Sequence, residues 1–288
     1  MTQQILEKTF DEERALYGLR DACVSGCVFA GPADGESVLK ECHDVAVEDC
    51  RFSLRYPMWH DKRFTMKHSS MDELTRAALW YADDGLIEDS VLSGIKAVRE
   101  CNRITLRRCE IMSPEFGWKC SGITLEDSDI TSEYLFLDSS DVRLKNVQMK
   151  GKYSFQYIRS LVIEDSMLDT KDAFWHSTNV TVRNCTVKGE YLGWFSDGLT
   201  LINCRIVGTQ PLCYCKNLKL VNCTMEGTDL AFEYSDVQAD VVGSIDSVKN
   251  PKSGTIVCDG VGEIIREDAV MECSGTVRLR GKNGDVSE

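Results

Sequence analysis

Two kinds of residue in this sequence could do chemistry together. Asp138, Asp172 and His176 supply carboxylates and an imidazole, the groups that serve as general acid and base near neutral pH. Tyr134, Phe136, Tyr153, Phe155, Tyr157, Phe174, Tyr191, Phe195 and Tyr214 supply a series of rings, with Lys119, Glu190 and Glu233 around them. Rings stack on the apolar faces of sugars, and a pair of acidic groups flanking a glycosidic bond can hydrolyse it. The catalytic candidates are therefore Asp138, His176 and Asp172. The candidates for substrate contact are Tyr134, Phe136, Tyr153, Phe155, Tyr157, Phe174, Tyr191, Tyr214, Lys119 and Glu233. Other chemistries find no support. Cys213 and Cys215 are too close along the chain for a metal site of ordinary spacing, and no phosphate loop, dinucleotide fingerprint or His-Glu-x-x-His motif occurs, so neither metal nor cofactor is expected.

What positions these residues is a repeat. The segments starting at Ile104, Ile123, Val142, Leu161, Val180, Leu199 and Leu218 superpose, each 19 residues after the last, and Gly85 and Val237 extend the series. Earlier units start near Ala22, Val45 and Phe64 with looser spacing. Within a unit apolar residues alternate, pause at Asp or Asn, and alternate again. Asp49, Asp89, Asp127, Asn146, Asp165, Asn184, Asn203 and Asn222 hold the pause; these residue types tolerate the left-handed conformation that bends a chain sharply. Period-two alternation means strand, so each unit has two short strands at an angle. A third follows in stretches such as Ala173-Phe-Trp-His-Ser177. The implied fold is all-β: a right-handed, single-stranded parallel β-helix with three-strand coils, a 19-residue repeat and about 12 coils.

Stacked coils place equivalent residues in columns about 4.8 Å apart. Cys27, Cys50, Cys109, Cys185, Cys204 and Cys223 share an inward column with small residues, and Cys42, Cys101, Cys120 and Cys215 share another. These thiols therefore have a packing reason to exist. On the third strand the column Leu79, Val98, Gly117, Phe136, Phe155, Phe174, Gly193, Leu212, Ala231 adjoins the column that holds all five tryptophans. Adjacent strand residues face opposite ways, so only one column can face in. Small and apolar neighbours assign the tryptophans to the interior. That leaves an outward aromatic plateau, in which Asp138 and His176 stand two coils apart, roughly 9.6 Å by rung spacing. Asp172 shares their face. Such a plateau binds a ligand or becomes a subunit interface.

The Val-x-Val-x-Asn-Cys-x-Val pattern of Val180–Val187, followed by Ala173-Phe-Trp-His-Ser-like strands and an Asp/Asn turn at each coil, resembles the right-handed β-helix repeat of the pectate-lyase-like superfamily. It is most similar to an uncharacterised bacterial family of unknown function within it. The resemblance runs from about residue 10 to 245. It implies the fold, and it implies that a substrate would lie along the third-strand sheet. The Asp-rich calcium cluster of pectate lyases and the multi-Asp, Gly-His signature of polygalacturonases are not found.

Composition narrows the partners. With 46 acidic and 33 basic residues the net charge is -13, which repels nucleic acid and anionic membranes. No run of about 18 apolar residues occurs. No apolar stretch follows a basic start, and the 14 cysteines suit a reducing compartment, so a cytoplasmic location is expected. The expected partners are a saccharide ligand or a second copy meeting the aromatic face. As domains, residues 1–14 read as an N-terminal cap, 15–245 as the β-helix, and 246–288 as degenerate C-terminal coils with a loose tail from Gly281. Residues 68–77, two longer than the standard loop, read as a helical turn capped by Ser70. The best functional reading is a carbohydrate-active enzyme, a glycoside hydrolase or lyase. The alternative is a non-catalytic binding or scaffold protein.

Overall fold

The computed structural model describes residues 3–281 and 285–286. The chain is a parallel β-solenoid and forms two compact units, residues 1–148 and 149–288. No helix occurs among the described residues, so none is long and apolar enough to cross a membrane.

In the first unit, successive turns open with strands Gln3–Leu6, Arg20–Ser25, His43–Glu48, Lys62–Lys67, Asp83–Glu88, Asn102–Arg107 and Thr124–Tyr134, and a further one begins at Ser140. Pairing is parallel and in register, for instance Val45 with Phe64 and Gly85 with Ile104. In the second unit the openers are Arg159–Glu164, Thr178–Arg183, Asp197–Ile202, Leu218–Glu226, Asp236–Val241, Ser253–Cys258 and Thr276–Leu279. There are thus more turns than the dozen expected. The surplus lies at the two ends, where caps were expected: Gln3–Leu6 already pairs with Arg20–Ser25 at the regular step, and Val237 pairs with Gly254, 17 positions on. The loose tail expected from Gly281 is touched only at Asp285–Val286, which pairs antiparallel with Val277 and Arg278; residues 282–284 and 287–288 lie outside the described residues.

The corner between the first two strands works as expected. In the second unit Asp165, Asn184, Asn203 and Asn222 have φ of 51° to 53°. Each Asn amide donates to the carboxylate or carbonyl oxygen one turn earlier, at 3.0, 3.1 and 2.9 Å. In the first unit His68 and Arg108 hold the same corner with φ of 47° and 50°, so the position selects conformation more than residue type.

Beside each corner the inward column is small for a second reason besides space. The strand ladder breaks there, and the buried N–H groups need acceptors. Ser69 Oγ accepts from Cys50 N (3.0 Å) and Ser128 Oγ from Cys109 N (2.9 Å). In the other column Ser139 Oγ accepts from Cys120 N (3.0 Å), and Asp61 Oδ1 accepts from Cys42 N (2.9 Å). Cysteine and serine are exchangeable here because each is small and each can accept. The 68–77 loop holds no helix. Ser70–Met71 is a strand, and Asp72 closes the loop by accepting from Leu74 N (3.0 Å) and the Thr75 hydroxyl (3.3 Å).

Candidate functional site

The third segment is a short strand in the first unit, where Met58–Trp59, Leu79–Trp80 and Val98–Arg99 pair in parallel, and departs from a strand in the second. In the second unit its residues take positive φ at every other position: Tyr153, Phe155, Tyr157; Asp172, Phe174, His176; Tyr191, Gly193, Phe195; Gln210, Leu212, Tyr214, all between 47° and 75°. The backbone bonds alternate in direction. Phe174 N donates to Ser154 O of the preceding turn (2.9 Å), and His176 N donates to Trp194 O of the next (3.0 Å). Left-handed residues cost roughly 1–2 kcal/mol each for non-glycine side chains. Burial of the middle residue and stacking of the outer one offset that cost.

This conformation overturns the alternation expected from sequence. Phe155 and Phe174 are buried and stacked on one another, with centroids 5.2 Å apart and planes 11° apart. In the first unit Phe136 is buried beside Phe116, and Gly117 (φ 75°) makes room for it, since a Cβ there would meet Phe136 Cδ1 at 2.3 Å. Phe136, Phe155 and Phe174 are therefore core residues and cannot contact a substrate. The tryptophans, assigned to the interior by sequence, stand half-exposed on the outside. Two consecutive residues, Trp175 and His176, both project outward, because the left-handed residue on each side of Trp175 turns the chain out of strand geometry.

What emerges on the second unit is a ladder of outward rings, exposed at Tyr157, His176 and Phe195 and half-buried at Tyr214 and Tyr234. Tyr157 lies parallel to His176 (centroids 5.0 Å, 6°), His176 to Phe195 (5.0 Å, 7°) and Phe195 to Tyr214 (4.8 Å, 13°); Tyr234 continues it, tilted, at 5.7 Å. Tyr157 is 50% exposed and Phe195 43%. Beside it Trp175 stacks on Trp194 (5.4 Å, 5°). Their indole N–H groups donate to Tyr191 O (2.6 Å) and Gln210 O (2.8 Å), which fixes both rings. Tyr191 packs edge-on against Trp194, and Lys171 Nζ sits 5.4 Å from the centre of the Tyr191 ring.

The charged groups around the ladder are mostly engaged. Lys171 pairs with Glu190 (2.8 Å) and Lys249 with Glu233 (2.9 Å). Asp172 is only 6% exposed, and burial raises its carboxyl above the ordinary range, opposed by Lys171. Of the expected catalytic trio, Asp172 and His176 belong to this unit, whereas Asp138 is half-buried in the first, with φ 50°. Tyr134, half-buried against Trp118, and exposed Lys119 also belong to the first unit. Tyr153 is half-buried in the second. Among the described residues no group of three or more His, Cys, Asp or Glu is placed to hold a metal.

The first unit carries a different outward column. Trp59 packs edge-on against Trp80 (5.2 Å), and the Arg99 guanidinium lies between Trp80 and Trp118 at 4.9 and 5.2 Å from their centres. His60 stacks on Tyr81 (5.0 Å). The outward tryptophans were the residues missed by sequence, and one signal could have found them. Each of the five is followed by a large or charged residue, His60, Tyr81, Lys119, His176 or Phe195, and each of those has positive φ.

The chain belongs to the family described as "Protein of unknown function (DUF3737)", whose model matches residues 3–278. No curated protein matches it. Among solved structures it is similar to a surface adhesin of Streptococcus pneumoniae (10% identity, 75% of this chain and 71% of that one, TM-score 0.36). It is similar also to the tailspike protein of E. coli bacteriophage HK620, solved with a pentasaccharide (7% identity, 89% and 65%, TM-score 0.42). A third likeness is to the A-module of an Azotobacter vinelandii mannuronan C-5 epimerase (11% identity, 96% and 87%, TM-score 0.30). At these identities and scores no site carries over from one chain to another.

Proposed function

We propose that this protein is a non-catalytic binding β-helix whose ladder Tyr157–His176–Phe195–Tyr214 takes an extended, neutral saccharide chain. The observation that carries the reading is the outward, regular spacing of these rings, 4.8 to 5.0 Å per rung. Because the rings stack on each other, their faces are used up. A ligand meets ring edges, with the Tyr157 and Tyr214 hydroxyls and the His176 imidazole among them. That surface suits a polymer lying along the stack with about one sugar per rung, held by hydrogen bonds and edge contacts. An extended peptide repeats on one face at roughly 6.6 Å and falls out of step within a few rungs. Nucleic acid is opposed by the charge of -13.

Binding without turnover is favoured because the acidic candidates on this face are buried or engaged. Asp172 is buried, and Glu190 and Glu233 are paired with lysines. The test is affinity electrophoresis through gels containing neutral β-linked glucans or mannans, with Phe195→Ala and Tyr157→Ala as variants. Retardation of the wild type and its loss in both variants is expected; free mobility of the wild type in every neutral glycan overturns the reading.

A second reading rests on the same spacing. An identical ladder on a second copy has the same repeat, so two copies could pack ladder to ladder. Light scattering separates the two: a dimer that becomes a folded monomer in Phe195→Asp supports self-association.

A further inference from the structure

The first unit holds a strict 19-residue step from Gln3 to Glu126 except at two places. Ala22 pairs with Val45, 23 positions on, and Phe64 pairs with Gly85, 21 positions on. Strand pairing on either side confines the extra residues to the segments 30–36 and 72–76. In a solenoid, insertions gather on one face, often the face that binds. Here both insertions rise at the same corner, on either side of the intervening coil, and enclose a recess of about 270 Å³ lined by Asp34, Ser53, Arg55, Glu73, Leu74 and Arg76.

Neither loop is slack. In the first, Asp11 Oδ2 accepts from Ala33 N (3.1 Å), and Gly35 lies so close to the backbone that a Cβ would meet Glu12 C at 2.2 Å. In the second, Asp72 binds Leu74 N and also accepts from the Ser53 hydroxyl (2.5 Å), which ties the loop to the coil between. The charged groups these loops present are poorly used. Arg55 reaches Asp34 and Glu36 only at 3.3 and 3.9 Å, and its buried Nε has no acceptor. The Arg76 guanidinium and the Glu73 carboxylate have no partner among the described residues. Leu74 is 62% exposed on the rim.

We propose that this recess is a binding site for a small zwitterion of the α-amino-acid type. The Arg76 fork suits a carboxylate held through two bonds, with Arg55 behind it. Glu73 and Asp34 receive the ammonium, and Leu74 meets an apolar side chain. A phosphate dianion is opposed by Asp34, Glu36, Asp72 and Glu73 around the same corner, whereas a zwitterion adds no net charge. The volume lies just under the range of about 300–1,000 Å³ usual for small-molecule sites, as a ligand of that size requires. Rigid loops lower the ordering cost of binding.

The experiment is titration calorimetry on the full chain with free L-amino acids. Controls are their α-amides, which lack the carboxylate, and the matching carboxylic acids, which lack the ammonium. Saturable binding of an amino acid with an apolar side chain is expected, weakened about tenfold in either control and about tenfold by Arg76→Gln or Glu73→Gln. Both side chains are exposed and unpaired, so both variants should melt with the wild type; if one does not, the other decides. Absence of saturable binding for every amino acid, equal binding of the controls, or wild-type affinity in both variants overturns the proposal.

Discussion

Phe174 and His176 are two residues apart and point to opposite sides of the wall. Phe174 is 1% exposed within the solenoid, while His176 stands outside between Tyr157 and Phe195. In a strand, residues i and i+2 share a face. Here φ of 63° and 54° at the two positions breaks that rule, and the break decides which rings are core and which are surface.

Phe174→Ala should therefore behave as a core truncation. Removal of a buried phenylalanine costs about 3–5 kcal/mol, here with loss of its stack on Phe155. Urea unfolding followed by tryptophan fluorescence measures it. A loss below about 0.5 kcal/mol, the range of ordinary surface changes, would return Phe174 to the outer face.

The same pair shows what the sequence could and could not tell. The 19-residue step, the Asn184–Asn203–Asn222 corner and the thiol columns were legible because each follows from a local rule repeated many times: alternation, left-handed tolerance, small size. The orientation of the third segment was not. Alternation arguments assume extended backbone, and the one cue in Ala173–Ser177, a large residue directly after the tryptophan, does not by itself specify left-handed phenylalanine and histidine. Orientation alone then misplaced the aromatic face: Tyr157, His176, Phe195 and Tyr214 were assigned outward and are outward, while Phe136, Phe155 and Phe174 were assigned outward and are buried. The recess between 30–36 and 72–76 was visible only as uneven spacing of the early coils, since the loops that line it meet through a coil that carries no insertion.

The ladder should be energetically coupled as well as aligned. His176 and Phe195 stack at 5.0 Å and 7°, a contact worth about 0.5–1.5 kcal/mol beyond area burial, towards the lower end for rings this exposed. A double-mutant cycle with His176→Ala and Phe195→Ala should return a coupling of that size in thermal or urea unfolding. Strict additivity would mean the rings are aligned by the backbone and contribute no attraction of their own.

Thiol reactivity should follow burial. Cys23 and Cys273 are the two cysteines that are not buried, and burial pushes Cys42 and Cys50 up to about 12 and Cys185 and Cys215 up to about 11. The thiolate is the reacting form, so these four thiols are protected by both exclusion and protonation, and the other buried ones by exclusion. Brief iodoacetamide treatment of the native protein at pH 8, read by intact mass, should add no more than two groups, mapping to Cys23 and Cys273. In urea all 14 should react. Early labelling of the Cys204 or Cys223 peptide would show that the wall opens there.

Asp61 should make the protein less stable as pH rises. It occupies a thiol column, 1% exposed, and burial raises its carboxyl well above the ordinary range even though Cys42 N donates to it. In the unfolded chain an aspartate loses its proton near pH 3.9. Above that pH the unfolded state sheds the proton while the folded state keeps it, so the folded state binds more protons and stability falls with rising pH until the folded carboxyl also ionises. The exposed carboxylates lowered by arginines, Asp44, Asp84 and Asp89, act in the opposite sense and lose their contribution on acidification. The overall profile therefore mixes both signs, and only a difference isolates Asp61. Asp61→Asn keeps an oxygen for the Cys42 N–H and removes the titration. Urea unfolding at pH 4.5 and pH 7.5 should show the variant gaining on the wild type at the higher pH. A constant difference between the two proteins across that interval would mean that Asp61 is ionised in the folded state and held by a partner other than Cys42.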